Sequence, residues 1–98
     1  ILFNYNQYNK VMDEKIQKIL EEKIHESTKG KLMDITTLCG LAREEDANVF
    51  AFGIMIGRLY NSFYYQSRRI LNRSPTDEEL YEFVTLLKEH ETELKDYS

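Results

Sequence analysis

Residues 46–73 read DANVFAFGIMIGRLYNSFYYQSRRILNR and form the longest apolar stretch of the chain. On a helix, spacings of three and four residues give one largely apolar series: Val49, Phe52, Ile56, Leu59, Phe63, Gln66 and Ile70. A second series lies about 100° further round the helix and consists of Phe50, Gly53, Gly57, Tyr60, Tyr64, Ser67 and Leu71. The two series predict a central helix over about 45–72 that other segments cover on two sides.

The segment before this helix contains an amphipathic pattern. Apolar residues recur on one helical face from Met12 to Ile24, with charged residues elsewhere. We expect a helix over about 5–27, with residues 1–9 forming either its first turns or an arm. Gly30 is the residue expected in the left-handed conformation that commonly follows a helix end.

Two more helices complete the predicted fold. A weaker apolar pattern predicts a short helix over 32–42, capped near Asp34. Thr76 and Glu79 have the spacing of a capping box and predict a last helix over 76–96. Because few residues separate this helix from the central one, the two should form an antiparallel hairpin. The expected fold is a single all-α domain, a four-helix bundle built around the central helix.

Composition narrows the class of protein. The chain has 98 residues, of which 42% are hydrophobic, and its formal net charge is -4. These values are typical of a globular domain. The single cysteine, Cys39, excludes an internal disulfide, is expected to be buried, and favours a reducing, cytoplasmic location. The longest apolar run ends after Gly57 and is far shorter than the ~20 residues that span a bilayer. We therefore expect no membrane association.

The central helix carries a pair of glycines, Gly53 and Gly57, in its apolar surface. Glycines four residues apart let two helices approach closely, and each costs about 1 kcal/mol relative to alanine inside a helix. Two contacts could offset this cost: packing against another helix of the same chain, or a symmetric contact in a homodimer. The residues predicted to form this contact are Phe50, Gly53, Gly57, Tyr60 and Tyr64.

The opposite side of the central helix is basic. Residues 47–76 contain four arginines and no acid, whereas residues 77–98 contain eight acids and two bases. The residues predicted to bind a protein partner or nucleic acid are Arg58, Tyr65, Arg68, Arg69 and Arg73. Arginine and tyrosine together suit phosphates and stacked bases. The alternative is a solvated face, or one whose arginines pair with the acids of residues 77–79.

The last helix carries acidic residues at a recognisable spacing. Glu78, Glu79 and Glu82, followed by Glu93 and Asp96, have an EExxE…ExxD spacing that is similar to that of the all-α nucleotide pyrophosphohydrolases related to MazG. The resemblance implies a Mg²⁺ site for phosphate chemistry. Both motifs fall on one predicted helix, however, which separates them by roughly 16 Å, too far for one cation.

No catalytic constellation is predicted. The two histidines, His25 and His90, have no metal ligand at a standard spacing and belong to no triad pattern. We expect no catalytic residue, metal or cofactor. The sequence thus favours a non-enzymatic helical module for protein interaction and oligomerisation, expected to form a homodimer. The alternatives are a nucleic-acid-associated helical protein and, third, a metal-dependent nucleotide hydrolase.

Overall fold

The computed structural model describes residues 10–26 and 29–95, except for the side chain of Lys29. Its helices are α1 (Glu14–His25), α2 (Lys29–Leu38), α3 (Ala47–Leu71), α4 (Asp77–Glu89) and α5 (Glu91–Lys95), with a 3₁₀ turn, Glu44–Asp46, leading into α3. The prediction of an all-α bundle around one long central helix is confirmed. No helix in these described ranges is long and apolar enough to cross a membrane.

The first helix starts later than predicted. Asp13 caps α1, because its carboxylate accepts hydrogen bonds from the backbone N–H groups of Lys15 (2.8 Å) and Ile16 (3.2 Å). Residues 10–13 are not helical. Their backbone is held by a partner from far along the chain, since Glu82 accepts a hydrogen bond from the N–H of Met12 at 2.9 Å. The predicted arm or first turns at residues 1–9 lie outside the described residues.

Helix α2 begins and ends earlier in the chain than predicted. Gly30, expected to follow the first helix, lies inside α2, and Asp34, expected to cap it, also lies within the helix. The left-handed glycine is instead Gly40, with φ +68°, and the chain turns there through a hydrogen bond from its N–H to the carbonyl of Thr37 (3.1 Å). Cys39 falls in this turn and is exposed, so the expectation that it is buried was wrong.

Other helices cover less of the α3 surface than the two predicted apolar series indicated. Its buried residues follow a spacing of four: Ala47, Ala51, Met55, Leu59, Phe63 and Ser67. Val49 of the first series is 72% exposed, and the second series is buried only towards its end, at Ser67. These buried residues share one side of α3, and α1 and α2 are the helices that contact α3 most. The helix ends at Leu71, and the C-cap residue Asn72 that follows has φ +59°.

The C-terminal hairpin is present, but its second arm is divided. The predicted capping box is confirmed, because the Thr76 hydroxyl accepts from the Glu79 N–H (3.1 Å) and the Glu79 carboxylate from the Thr76 N–H (2.8 Å). α4 ends at Glu89, and a short α5 follows His90. Stacked rings of Phe63 and Phe83, 4.7 Å apart, join α3 to α4 in the core.

Candidate interaction surfaces

The exposed side of α3 carries the residues predicted to pack against another helix. We call these residues the α3 stripe: Phe50, Gly53, Gly57, Tyr60 and Tyr64. Phe50 is 40% exposed and Tyr60 is 43% exposed, and both glycines are exposed. A Cβ built on either glycine would meet no described atom within 4 Å. Close packing of these glycines within the chain, one of the two predicted contacts, is therefore wrong for the described residues, and the homodimer contact stays a prediction.

An apolar groove runs beside the α3 stripe, between α3 and the α4–α5 arm. Its floor is formed by Phe52, Ile56, Val84, Leu87 and Leu94, and its rim by Lys88, Glu91 and Lys95. The Lys95 ammonium lies 5.9 Å from the centre of the Phe52 ring. Val84 and Leu87 both belong to the apolar pattern of the last helix, but Val84 is 46% exposed. Apolar spacing gave no signal for this groove, because a covered face and an open face have the same period.

Aromatic contacts hold the second half of the α3 stripe in place. The Tyr60 and Tyr64 rings lie 4.9 Å apart, and Tyr60 also lies 6.1 Å from Phe83 of α4. A hydrogen bond with Tyr64 raises the pKa of the Tyr60 phenol above its usual value. Tyr60 is thus a neutral, positioned aromatic side chain at the surface, which is the type of residue that often anchors an interface.

Arg73, one of the five residues predicted to bind a partner or nucleic acid, has a structural role. Its guanidinium donates two hydrogen bonds to the Glu79 carboxylate, at 2.8 and 3.0 Å. These bonds lower the pKa of Glu79, although burial of this carboxylate opposes the shift. Because Glu79 is also part of the capping box, the pair fixes the turn between α3 and α4.

Three of the remaining four residues of that set, Arg58, Tyr65 and Arg69, lie seven and eleven positions apart and share one side of α3. Arg58 lies beside the end of α1, in a shallow depression shared with Glu26. Arg69 donates to the Gln66 side chain at 2.9 Å. Tyr65 is 60% exposed, and Arg68 is exposed and lies about 100° from Arg69 around the helix, towards the α3 stripe. Nucleic-acid binding by this set stays a prediction.

Two of the three acids of the EExxE spacing, Glu79 and Glu82, are occupied by structural contacts. Glu82 is 5% exposed and receives the backbone N–H groups of Val11 and Met12. Glu79 is held by Arg73, and Asp96 lies outside the described residues. Within residues 10–26 and 29–95, no group of three or more His, Cys, Asp or Glu side chains could hold a metal ion. The geometry of this part of the chain therefore offers the hydrolase hypothesis no metal centre.

Sequence reasoning missed the one place where both histidines meet. Glu93 of α5 contacts the Nδ1 atom of His25 at the end of α1, and it lies 3.1 Å from Nδ1 of His90. The two imidazole rings are 5.7 Å apart and nearly perpendicular. These contacts lower the pKa of Glu93, with the His25 bond as the largest cause. No sequence signal could have paired His25 with Glu93, because 68 positions separate them.

No protein-family model matches the chain, and no curated protein or solved structure matches it. Among the features described above, the contacts of Glu79, Glu82 and Glu93 join separate segments of the fold. The α3 stripe and the adjoining groove are exposed surfaces of the described chain, and they are the strongest candidates for a functional site.

Proposed function

We propose that this chain is a non-enzymatic helical interaction module that self-associates through the α3 stripe. The observation that carries the proposal is the open space above Gly53 and Gly57. These glycines lie in the interior of a 25-residue helix, and no described atom comes within 4 Å of their Cβ positions. Exposed aromatic side chains, Phe50 and Tyr60, flank them on the same side of the helix.

Within the described residues, no neighbouring atom is close enough to require glycine at position 53 or 57. Each interior glycine costs about 1 kcal/mol relative to alanine, so the pair costs about 2 kcal/mol. Small domains are stable by only about 5–15 kcal/mol, so this cost is appreciable. A second helix packed on the α3 stripe would gain from it, because glycine allows two backbones to approach closely.

The groove extends the apolar area that a partner could cover. Phe52 and Ile56 each precede one of the glycines by one residue, so the floor of the groove and the α3 stripe are neighbours on the helix surface. Contiguous exposed apolar patches on soluble domains commonly mark interaction sites. Tyrosine is also enriched among the residues that dominate binding energy, which favours Tyr60 as an anchor.

Light scattering on a size-exclusion column tests the proposal. We expect the average mass to rise from that of a monomer towards twice that value between about 1 and 300 µM protein, the range of weak self-association. Gly57→Leu should abolish the rise, because the new side chain fills the space that the second helix needs.

Tyr65→Leu is the matched control, since it places a leucine on an exposed position of α3 outside the stripe. It should associate as the wild-type chain does. A wild-type chain that stays monomeric over the whole concentration range would refute self-association. Equal association of the wild-type and Gly57→Leu chains would show that the contact is made elsewhere.

A further inference from the structure

On the exposed face of α3, residues of similar type lie at equal distances before and after Gly57, and the two outermost residues have opposite charges. We call this surface the symmetric face, and its residues lie four, seven and eleven positions before and after Gly57: Asp46, Phe50, Gly53, Asn61, Tyr64 and Arg68. The outermost pair is the acid Asp46 and the base Arg68. The next pair towards Gly57 is aromatic, and the pair nearest to Gly57 has small or short side chains.

These residues share one side of the helix. Steps of four, seven and eleven residues return to within about 40° of the starting direction, at 100° per residue. Phe50 is 40% exposed, and Tyr64 is half-buried against Tyr60. The other members of the symmetric face are exposed, including Asp46 in the last position of the 3₁₀ turn and Arg68 in the last turn of α3.

We infer that the partner of the α3 stripe is a second copy of this chain, bound antiparallel, with Gly57 at the two-fold axis. The inference rests on the proposed self-association and adds its direction and register. In this arrangement Asp46 of each copy meets Arg68 of the other, and Phe50 meets Tyr64 of the other. A symmetric interface of this kind makes each contact twice.

Charge selects the antiparallel direction over the parallel one. A parallel pair would place Asp46 against Asp46 and Arg68 against Arg68, and like charges facing each other across an interface are strongly unfavourable. The side chain of Asp46 is 57% exposed, and its carboxylate lies 3.5 Å from Arg43 Nε within the same chain. It makes no capping hydrogen bond to α3, so it is available for a second cation.

The helix dipole gives a competing reason for these two charges. Acids at a helix start and bases at its end are favourable in any single helix. The dipole, however, is indifferent to which side of the helix carries the charge. It therefore predicts no difference between Asp46 and its neighbour Glu45, or between Arg68 and its neighbour Arg69. The antiparallel dimer predicts a difference in both cases.

Charge exchange between two copies separates these explanations. Asp46→Arg and Arg68→Glu should each weaken self-association about tenfold or more, since each places two like-charged pairs in the dimer. An equimolar mixture of the two variants should restore association to within about threefold of wild type, because both contacts are then oppositely charged. The double variant Asp46→Arg/Arg68→Glu should also associate with itself.

The exposed thiol of Cys39 provides the readout. One variant is labelled there with a donor fluorophore and the other with an acceptor, and energy transfer is measured against concentration. Glu45→Arg and Arg69→Glu are the matched controls, because they make the same charge changes one residue away. Neither should change association much, and mixing them should have no effect. Circular dichroism confirms that every variant keeps its helix content.

The outcomes distinguish this inference from the proposal beneath it. A wild-type chain that stays monomeric would refute both the self-association and the antiparallel register. A wild-type dimer that Gly57→Leu disrupts, but in which mixing Asp46→Arg with Arg68→Glu restores nothing, supports the α3 stripe and overturns the antiparallel register. Equal effects of the control pair and the test pair would assign the charges to the helix dipole and would likewise overturn the register.

Discussion

Replacing both Gly53 and Gly57 with alanine should raise the free energy of unfolding of the monomer by about 2 kcal/mol. The magnitude follows from two observations. Both residues lie inside α3, where alanine is favoured over glycine by about 1 kcal/mol per position. A Cβ at either position meets no described atom within 4 Å, so no steric penalty offsets this gain. For a domain of this size the change corresponds to a rise in Tm of roughly 8–16 °C.

The measurement is urea and thermal denaturation followed by circular dichroism, at a concentration where light scattering shows a monomer. Gly40→Ala is the control, because this glycine also has open space around it but holds φ +68°. A Cβ there is strained by about 1–2 kcal/mol, so this variant should be less stable than wild type. The three glycines thus separate helix propensity from backbone conformation.

An unchanged or lower stability of the double alanine variant would refute the reasoning. It would mean that the monomer already covers these two positions, so that the new methyl groups collide with something in the chain. The α3 stripe would then be part of the internal packing, and the case for a partner helix at this surface would be lost.

Other predictions concern the acids that hold the fold together. Glu82→Ala should lower the free energy of unfolding by about 1–3 kcal/mol, because the buried N–H of Met12 loses its acceptor; Glu82→Gln, which keeps one oxygen, should lower it less in the same urea titration. The fold lowers the pKa values of the Glu79 and Glu93 carboxyl groups. Each ionised carboxylate therefore contributes its full stabilisation above the unfolded-state pKa of about 4.3. This stabilisation is lost as the pH falls through the lower pKa of the folded state. Stability should therefore drop below about pH 5, and Arg73→Gln should flatten that drop; an equally steep drop in Arg73→Gln would contradict the assignment to this ion pair.

Local signals in the sequence predicted local structure well. The capping box at Thr76 and Glu79 needs only four consecutive residues, and the structure contains both of its hydrogen bonds. The central helix was also predictable, because its apolar pattern continues over many turns. The start of α1 was not, since the residues before Asp13 are held by Glu82, 70 positions away from Met12. Contacts between distant segments leave no mark on the local pattern that a single sequence shows.

The same distinction explains the α3 stripe. Periodicity showed which residues share a side of the central helix, and Phe50, Gly53 and Gly57 do share one. It could not show whether that side is covered, because covering depends on where α1, α2 and α4 pack. In the structure the fully buried residues of α3 lie on another side of the helix, and the second predicted series is exposed over its first half.

The glycines connect stability to assembly in a way that two measurements can separate. If Gly53 and Gly57 serve a close contact between two copies, filling their positions should make the monomer more stable and the dimer weaker. Alanine at both positions tests the first effect, and leucine at Gly57 tests the second. A stabilising effect alone would leave the glycines without a role in association. The two effects together would mean that α3 gives up about 2 kcal/mol of monomer stability to keep a surface that another helix can approach.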